Sequence, residues 1–369
     1  MPIFSIEALT ALAADALRAS GASASAARIT AKYLVAADAQ GLGTHGVARV
    51  TTYCGHLKSG RARGDAVPRI VNEKPAACLV DAGDGLGFEP CEFAIQQAIG
   101  RAQKYGVAIA GVTRSHHCGA LGILLEAVAA RGMVGIAFSN APAGIMAWGG
   151  TRPLLGTNPV AAIFPRRGWR ADSLPAEPAV RGQRALALPS TSDGSVNKEL
   201  RGPAPLVIDM SLTQVTRGQI MLYANAGKPI PEGWGMDKDG NPTTDAQKIL
   251  VGGSLHAVGG LKGTMLALAV EILCCAVMGA ALSHEVGSIH VNEGKPMNLG
   301  QAFVVIDPAA LAGSDVYLER IETLVAAMLE DDGVRLPGAR RVENTERATK
   351  EGIEISADLE KQLRGLAQR

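Results

Sequence analysis

The chain has 369 residues, with 36 basic against 35 acidic side chains and a formal net charge of +1. Near-balanced charge, with no basic run interleaved with aromatics, argues against a nucleic-acid-binding protein, and the length is enough for a large core. Only 4% of residues are aromatic while glycine occurs 44 times, the profile of an α/β enzyme packed with small side chains and rich in tight turns.

Residues 5–40 carry Ala and Leu at helical spacings, broken at Gly21, so two helices are predicted, the second running to Gln40. Residues 58–75 are polar, contain Gly60, Gly64 and Pro68, and read as a loop. A strand follows over Ala76–Asp81, then Gly83-Asp84-Gly85-Leu86-Gly87 and a helix over Glu92–Tyr105. That turn has G-x-G-x-G spacing rather than G-x-G-x-x-G, and no acidic residue closes a second strand about 20 residues on, so a tight turn is preferred to a dinucleotide loop. Further strands are expected at Val107–Val112, Val134–Ser139, Val160–Phe164, Leu206–Ile208 and Phe303–Ile306. Helices are expected at Leu121–Arg131, Ser211–Asn225, Ser314–Leu329 and Ala357–Ala367. Residues 166–202, rich in Pro, Ser and Arg, read as a surface insertion or lid, and 227–244 as a polar loop. Gly263–Leu282 is apolar apart from Glu271 and reads as a buried helix rather than a membrane span.

The six cysteines, Cys54, Cys78, Cys91, Cys118, Cys274 and Cys275, form no C-x-x-C pair, so neither a disulfide framework nor a zinc site is expected. The first residues lack the basic and apolar regions of a secretion signal, and a reducing, cytoplasmic setting is the expectation.

Five segments can carry chemistry. The first is Thr44-His45-Gly46-Val47-Ala48-Arg49 with Tyr53, spaced so that one helix would present His45, Arg49 and Tyr53 on a single face. An imidazole moves protons near neutral pH and a guanidinium grips a carboxylate with two parallel bonds. The alternative is a solvated helix start with Thr44 as its N-cap. The second is Arg114-Ser115-His116-His117-Cys118-Gly119 after a strand, where α/β proteins place ligands. Adjacent histidines on extended chain point opposite ways, so one is expected inward; the alternative is a strand-end histidine bonded to backbone. A metal would need further ligands, and His256, His284 and His290 show no ligand-like spacing to this pair, so no metal is expected. The third is Gly156-Thr157-Asn158-Pro159, an anion-binding turn or plain turn chemistry. The fourth is Asp209-Met210-Ser211, where Asp209 either accepts ribose hydroxyls or caps the next helix. The fifth, Gly259-Gly260-Leu261-Lys262-Gly263, opens a helix and suits a phosphate, or is a glycine-rich start with a surface lysine.

Taken in order, these segments resemble the malate/L-lactate dehydrogenase family of NAD(P)-dependent oxidoreductases, with Asn298-Leu299-Gly300 and Pro337-Gly338-Ala339-Arg340-Arg341 as further matches. The resemblance spans nearly the whole chain. It implies a non-Rossmann α/β fold with a mixed central sheet and flanking helices, and a homodimer. It implies two parts, residues 1–75 with 310–369 as a helical substrate and dimer domain, and 76–309 as the NAD(P)-binding domain. It implies hydride transfer between NAD or NADP and C2 of a small 2-oxo or 2-imino carboxylic acid, with neither nucleic acid nor membrane as partner. Carried over, His45 looks like the acid/base, Thr44 its orienting residue, Arg49 the carboxylate clamp and Thr157 a second substrate contact. His117 matches a histidine assigned to proton transfer or to the nicotinamide pocket. Arg114, Ser115, His116, Cys118, Asp209, Met210, Ser211, Gly260, Lys262 and Arg340 look like cofactor contacts. Three departures stand out: the longer segment between Pro159 and Asp209, Arg114 in place of a common asparagine, and Gln219. The last stands where relatives that reduce cyclic imines carry aspartate and many hydroxyacid relatives carry lysine.

Overall fold

A computed structural model describes residues 1–169 and 203–368, so most of the expected insertion lies outside the described residues. The first two helices form as expected: α1 (Ile6–Ala19) and α2 (Ala24–Ala39). Ser5 and Ser23 cap them, each hydroxyl accepting a backbone N–H at 3.1 Å. Leu9, Ala13, Ala16 and Leu17 line the buried face of α1, the spacing of an amphipathic helix. After α3 (Val50–Lys58), α4 (Phe88–Tyr105) starts at Phe88, four residues before the expected Glu92. Ala94, Ile95, Ala98 and Ile99 pack α4 into the core, and each buried isoleucine contributes about 2 kcal/mol.

The strands are β1 (Ile3–Phe4), β2 (Arg69–Lys74), β3 (Ala77–Asp81), β4 (Val107–Ser115), β5 (Val134–Ser139), β6 (Ala143–Met146), β7 (Pro153–Gly156), β8 (Val160–Phe164), β9 (Leu206–Met210), β10 (Gly235–Met236), β11 (Ser254–Leu255), β12 (Leu299–Ile306) and β13 (Ile353–Glu354). Seven build the central sheet in the order β2-β3-β4-β12-β5-β8-β9. Only β3 and β4, joined across α4, run parallel; every other neighbouring pair is antiparallel. A dinucleotide-binding sheet of the Rossmann type is mostly parallel, so this mixed sheet matches the non-Rossmann expectation. A smaller sheet, β10-β11-β6-β7, lies beside it, and β1 pairs with β13.

Several expectations needed correction. The 58–75 loop contains β2, whose residues are nearly all exposed and so lack the alternation that marks a strand. The Leu121–Arg131 helix is two single turns, α5 (Leu121–Leu124) and α6 (Glu126–Ala129). The helix expected from Ser211 starts only at Arg217, as α7 (Arg217–Asn225), because Thr216 supplies the cap by accepting Gln219 N–H at 3.2 Å. Next come α8 (Ala246–Leu250) and α9 (Leu261–Glu271), which runs into a wide-wound turn over Ile272–Val277. The Gly263–Leu282 segment is not buried in one chain: Met265 is 46% and Ile272 51% exposed. Its inner side presses on the sheet. A β-carbon at Gly300 would overlap the Cys274 carbonyl, and one at Gly111 the Met278 sulfur, which accounts for the glycine of the Asn298–Gly300 motif. Glu271, the charge in this apolar stretch, is buried and accepts from the Ser283 amide and hydroxyl, both at 2.6 Å. The chain closes with α10 (Ser314–Met328), α11 (Ala339–Glu351) and α12 (Ala357–Ala367), the last packed on α1. No helix among the described residues is long and apolar enough to cross a membrane.

Candidate active site

The segment carrying His45 and Arg49 is not the regular helix that its spacing suggested. Gly43–His45 and Val47–Arg49 form two successive 3₁₀ turns, and α3 begins only at Val50. Thr44 caps nothing. The winding is set by Asp38, near the end of α2, whose carboxylate accepts Val47 N–H at 2.7 Å. Gly46 is pressed so closely on that carboxylate that a β-carbon would overlap it. Burial pushes the Asp38 pKa up to about 6, although the Val47 bond pulls it down.

His45 Nδ1 lies 3.0 Å from the Thr44 hydroxyl, and among the described residues its Nε2 has no protein partner. Burial, then the Arg49 guanidinium, lowers its pKa below the usual imidazole range. Arg49 spends Nε on the Thr44 carbonyl at 2.9 Å and forms no ion pair among the described residues. The His45 ring stacks on His117, with centroids 5.6 Å apart and planes 19° from parallel.

The two adjacent histidines diverge as extended chain requires. His117 Nδ1 receives Gly119 N–H at 3.3 Å and lies 2.6 Å from the Tyr53 hydroxyl. A ring nitrogen that accepts a backbone N–H carries no proton, so Tyr53 donates and the His117 proton sits on Nε2. Burial, then His45 and Arg49, drive the His117 pKa well down. His116 turns into the core. Its Nε2 lies 2.7 Å from His56 Nδ1, and His56 Nε2 lies 3.0 Å from the Val291 carbonyl. A carbonyl only accepts, so His56 carries its proton on Nε2 and His116 donates from its own Nε2. The His116 Nδ1 is then bare, as its lack of any partner requires. Burial, then His56, lowers the His116 pKa to about 3. Sequence reasoning missed His56, although it sits three residues beyond Tyr53 on α3.

Asp209, at the end of β9, accepts from Gly122 N–H at 3.0 Å and from Arg341 Nη2 at 3.2 Å. It is not a helix cap, since Thr216 caps α7. A β-carbon on Gly122 would sit 2.9 Å from the Asp209 carboxylate and 2.8 Å from Arg341 Nη1. That Nη1 is buried without a protein partner, whereas the neighbouring Arg340 is exposed. Asp209 raises and Arg341 lowers the proton affinity of His45, so both lie within electrostatic reach of it.

Arg114, held at φ 51, pairs with Asp84 at 2.7 Å and Asp81 at 3.3 Å and so fastens the Gly83–Gly87 turn. Ser115 and Cys118 are buried, Cys118 at 3% exposure, which rules it out as an open nucleophile. In the Gly156–Pro159 turn, Asn158 donates to the Ala267 carbonyl and to Glu271, both at 2.8 Å, while the Thr157 carbonyl accepts Leu212 N–H at 2.8 Å. Ser211 and Thr213 hydroxyls meet at 2.9 Å, whereas Met210 is half-exposed on β9. The chain then reaches a cavity of about 690 Å³ lined by Trp148, Gly149, Thr151, Gln214, His256 and Gly260 among others. Lys262 stands exposed two residues further on, in the first turn of α9.

An imidazole with one open nitrogen beside an unpaired guanidinium marks an enzyme of small acids, and the cavity of about 690 Å³ is lined by none of His45, Arg49 or His117. The chain belongs to the malate/L-lactate dehydrogenase family, whose model matches residues 4–173 and 195–364 and passes over the stretch between. It is 37% identical over 365 residues to the (2R)-3-sulfolactate dehydrogenase (NADP(+)) of Chromohalobacter salexigens, covering 99% of this chain and 98% of that one. It is 33% identical to a Δ1-pyrroline-2-carboxylate/Δ1-piperideine-2-carboxylate reductase of Pseudomonas aeruginosa, over 96% of each chain. The Δ1-piperideine-2-carboxylate reductase structure from Pseudomonas syringae superposes with a TM-score of 0.85 at 29% identity, over 99% of this chain and all of that one. Sulfolactate dehydrogenase from Methanocaldococcus jannaschii gives 0.83 at 28% identity, over 100% and 97%. The protein is thus an NAD(P)-dependent oxidoreductase.

Proposed function

We propose that the enzyme transfers a hydride between nicotinamide and C2 of a small 2-hydroxy or 2-oxo acid, with His45 as acid/base and Arg49 as carboxylate clamp. The observation that carries this is the open His45 Nε2 beside an Arg49 with no anionic partner among the described residues. Two free terminal nitrogens on a planar guanidinium match a carboxylate, and the acid/base then faces the neighbouring carbon. In the free enzyme, burial and Arg49 favour neutral His45, the form that takes a hydroxyl proton during oxidation. A bound carboxylate offsets Arg49, raises the proton affinity of His45 and favours the donor form that reduction needs. Thr44 orients the ring, and Thr157 is assigned as a further substrate contact.

When bound, the nicotinamide cofactor supplies or accepts the hydride. The buried, unpartnered Arg341 Nη1 and the cavity of about 690 Å³, within the roughly 300–1,000 Å³ typical of ligand pockets, support a fit to it. Asp209, Met210, Ser211, Gly260 and Lys262 are the residues we assign to holding it, with Ser115, His116, His117 and Cys118 shaping its nicotinamide end. Arg114, already committed to two carboxylates, and exposed Arg340 are assigned to the rim. We assign residues 1–75 with 310–369 to the substrate half and 76–309 to the cofactor half. A homodimer is supported by the exposed apolar row Leu261, Met265, Leu268 and Ile272 along α9, which a second copy would cover. A cytoplasmic setting suits six buried, unpaired cysteines.

Reduction of a cyclic imine carboxylate is the second reading, favoured by the His116–His117 pair and by the reductases among the relatives. Following nicotinamide absorbance across a panel of 2-oxo acids and Δ1-piperideine-2-carboxylate decides between them. Turnover of the imine alone would overturn the first reading. His45→Ala should depress kcat far more than cofactor affinity; near-normal turnover would transfer the acid/base role to His117.

A further inference from the structure

We infer that His56 is a positioning residue for the reaction: from α3 it fixes, through His116, the orientation of His117, and it ties that orientation to the exposed segment 288–296. This role rests on the placement of His117 at the nicotinamide end of the site.

Tyr53 and His56 lie three residues apart on α3, a spacing that puts both side chains on one side of a helix. His116 and His117 follow β4 directly, and on extended chain their rings diverge. The helix holds both. The Tyr53 hydroxyl lies 2.6 Å from His117 Nδ1, and His56 Nδ1 lies 2.7 Å from His116 Nε2. The peptide between the two histidines is held as well, since the His116 carbonyl accepts Gln301 Nε2 at 3.2 Å and a β-carbon on Gly87 would overlap it. One grip on His117 would leave the backbone free to turn about the Tyr53 bond. A second grip, on the neighbouring ring that points the other way, removes that freedom.

The second grip has a direction, and a surface segment sets it. The order of groups is Val291 carbonyl, His56 Nε2–H, His56 Nδ1, His116 Nε2–H, with His116 Nδ1 left bare. If the His56 proton moved to Nδ1, a bare Nε2 would face the carbonyl and two acceptors would meet. The Val291 carbonyl therefore decides that His116 donates, and both rings are buried, so water does not replace either partner. Residues 288–296 are exposed apart from half-buried Ile289, form neither helix nor strand, and lead into β12. Their place is fixed from α3 and the residues just after it. Buried Arg61 donates to the carbonyls of Ser288 at 2.7 Å, of Lys295 at 3.2 Å and of Val291. The Ser59 hydroxyl donates to the Asn292 carbonyl at 2.6 Å, and a β-carbon on Gly55 would overlap the Asn292 side chain. A surface segment and the strand-end histidines thus share one buried connection, and His56 is that connection.

The test is a double-mutant cycle in the full chain on His56→Phe, Tyr53→Phe and the pair, with NADPH and whichever of pyruvate, oxaloacetate and Δ1-piperideine-2-carboxylate the wild type turns over fastest. His56→Phe should lower kcat roughly tenfold while KM for NADPH changes less than about twofold. His56→Gln, which keeps a donor and an acceptor, should recover part of that loss. Because both grips act on one ring, the double variant should fall within about threefold of the worse single variant, where independent effects would multiply to roughly a hundredfold. Multiplying losses, or lowered thermal stability with kcat unchanged, overturn the role of His56. If instead Tyr53→Phe and His117→Gln both leave kcat at the wild-type value, the placement of His117 fails. A measurement free of turnover and of the phenylalanine variant uses protein labelled with ¹⁵N in its histidines. Scalar coupling should join His56 Nδ1 to His116 Nε2, and Ser59→Ala, at an exposed position, should shift the ring-nitrogen resonances of His116 and His117. Missing coupling, or unshifted resonances, overturn the connection.

Discussion

Asp38→Asn is expected to stabilise the protein at neutral pH, by an amount that vanishes in acid. The Asp38 carboxyl titrates at about 6 when folded against 3.8 ordinarily, so the folded state holds the proton more tightly than the unfolded chain does. The sign follows: below about pH 4 both states are protonated and the group has no effect, whereas between 4 and 6 the folded state pays increasingly for a buried charge. The roughly two-unit separation corresponds to about 3 kcal/mol, fully developed at pH 7. Asparagine mimics the protonated acid, and its amide oxygen can still accept the Val47 N–H that Asp38 holds at 2.7 Å. Urea unfolding of both proteins at pH 4, 5, 6 and 7 isolates the effect, since the other carboxyls cancel in the difference. The variant should match wild type at pH 4 and exceed it by about 3 kcal/mol at pH 7. A difference that does not change with pH would refute the argument. Activity should move the other way, because the charged oxygen grips the turns that carry His45 and Arg49.

Tyr53→Phe removes the donor to His117 Nδ1 at 2.6 Å and should lower kcat roughly tenfold; an unchanged kcat would mean that Tyr53 only packs. Gly122→Ala places a β-carbon 2.8 Å from Arg341 Nη1 and 2.9 Å from the Asp209 carboxylate, so KM for the nicotinamide cofactor should rise while KM for the acid changes less. Equal rises would remove Asp209 from the cofactor end. His116 titrates at about 3 when folded against 6.5 ordinarily, so it should withdraw stability as pH falls from 6.5, about 3 kcal/mol by pH 4.5. His116→Gln should flatten that part of the unfolding profile, and an identical slope would disprove the neutral His56–His116 pair.

The parts of the fold most legible in the sequence were those with local signals. Ser23 after Gly21 marked the second helix, and β-branched runs marked β4, β5 and β8. β2 was hidden because an exposed edge strand needs no apolar alternation. The site residues were visible as chemistry but not as geometry. Spacing suggested one helix for His45, Arg49 and Tyr53, and the structure instead has two 3₁₀ turns wound around Asp38. Nothing local to residues 43–49 encodes a carboxylate from the preceding helix, and nothing near His116 encodes His56. Those couplings are long-range, as is the pairing of Asp209 with Arg341 rather than with the helix that follows it. The apolar row on α9 misled in the opposite direction, since its composition is that of a core helix.

The turn at the end of α2 is closed by residues from far along the chain. Asn344 on α11 donates to the Gln40 carbonyl at 3.1 Å across 304 positions of chain, Arg341 reaches Asp209, and β13 pairs with β1. During synthesis, His45 and Arg49 leave the ribosome long before the segment that fixes their surroundings. A chain released after β12 would hold every residue of the proton-transfer cluster yet lack the brace, leaving α1 without α12 and the inner residues Leu9 and Leu17 open to proteases. The brace around the proton-transfer cluster is thus supplied by chain that is made after the cluster itself, so the surroundings of His45 and Arg49 are completed only once α11 and α12 have packed.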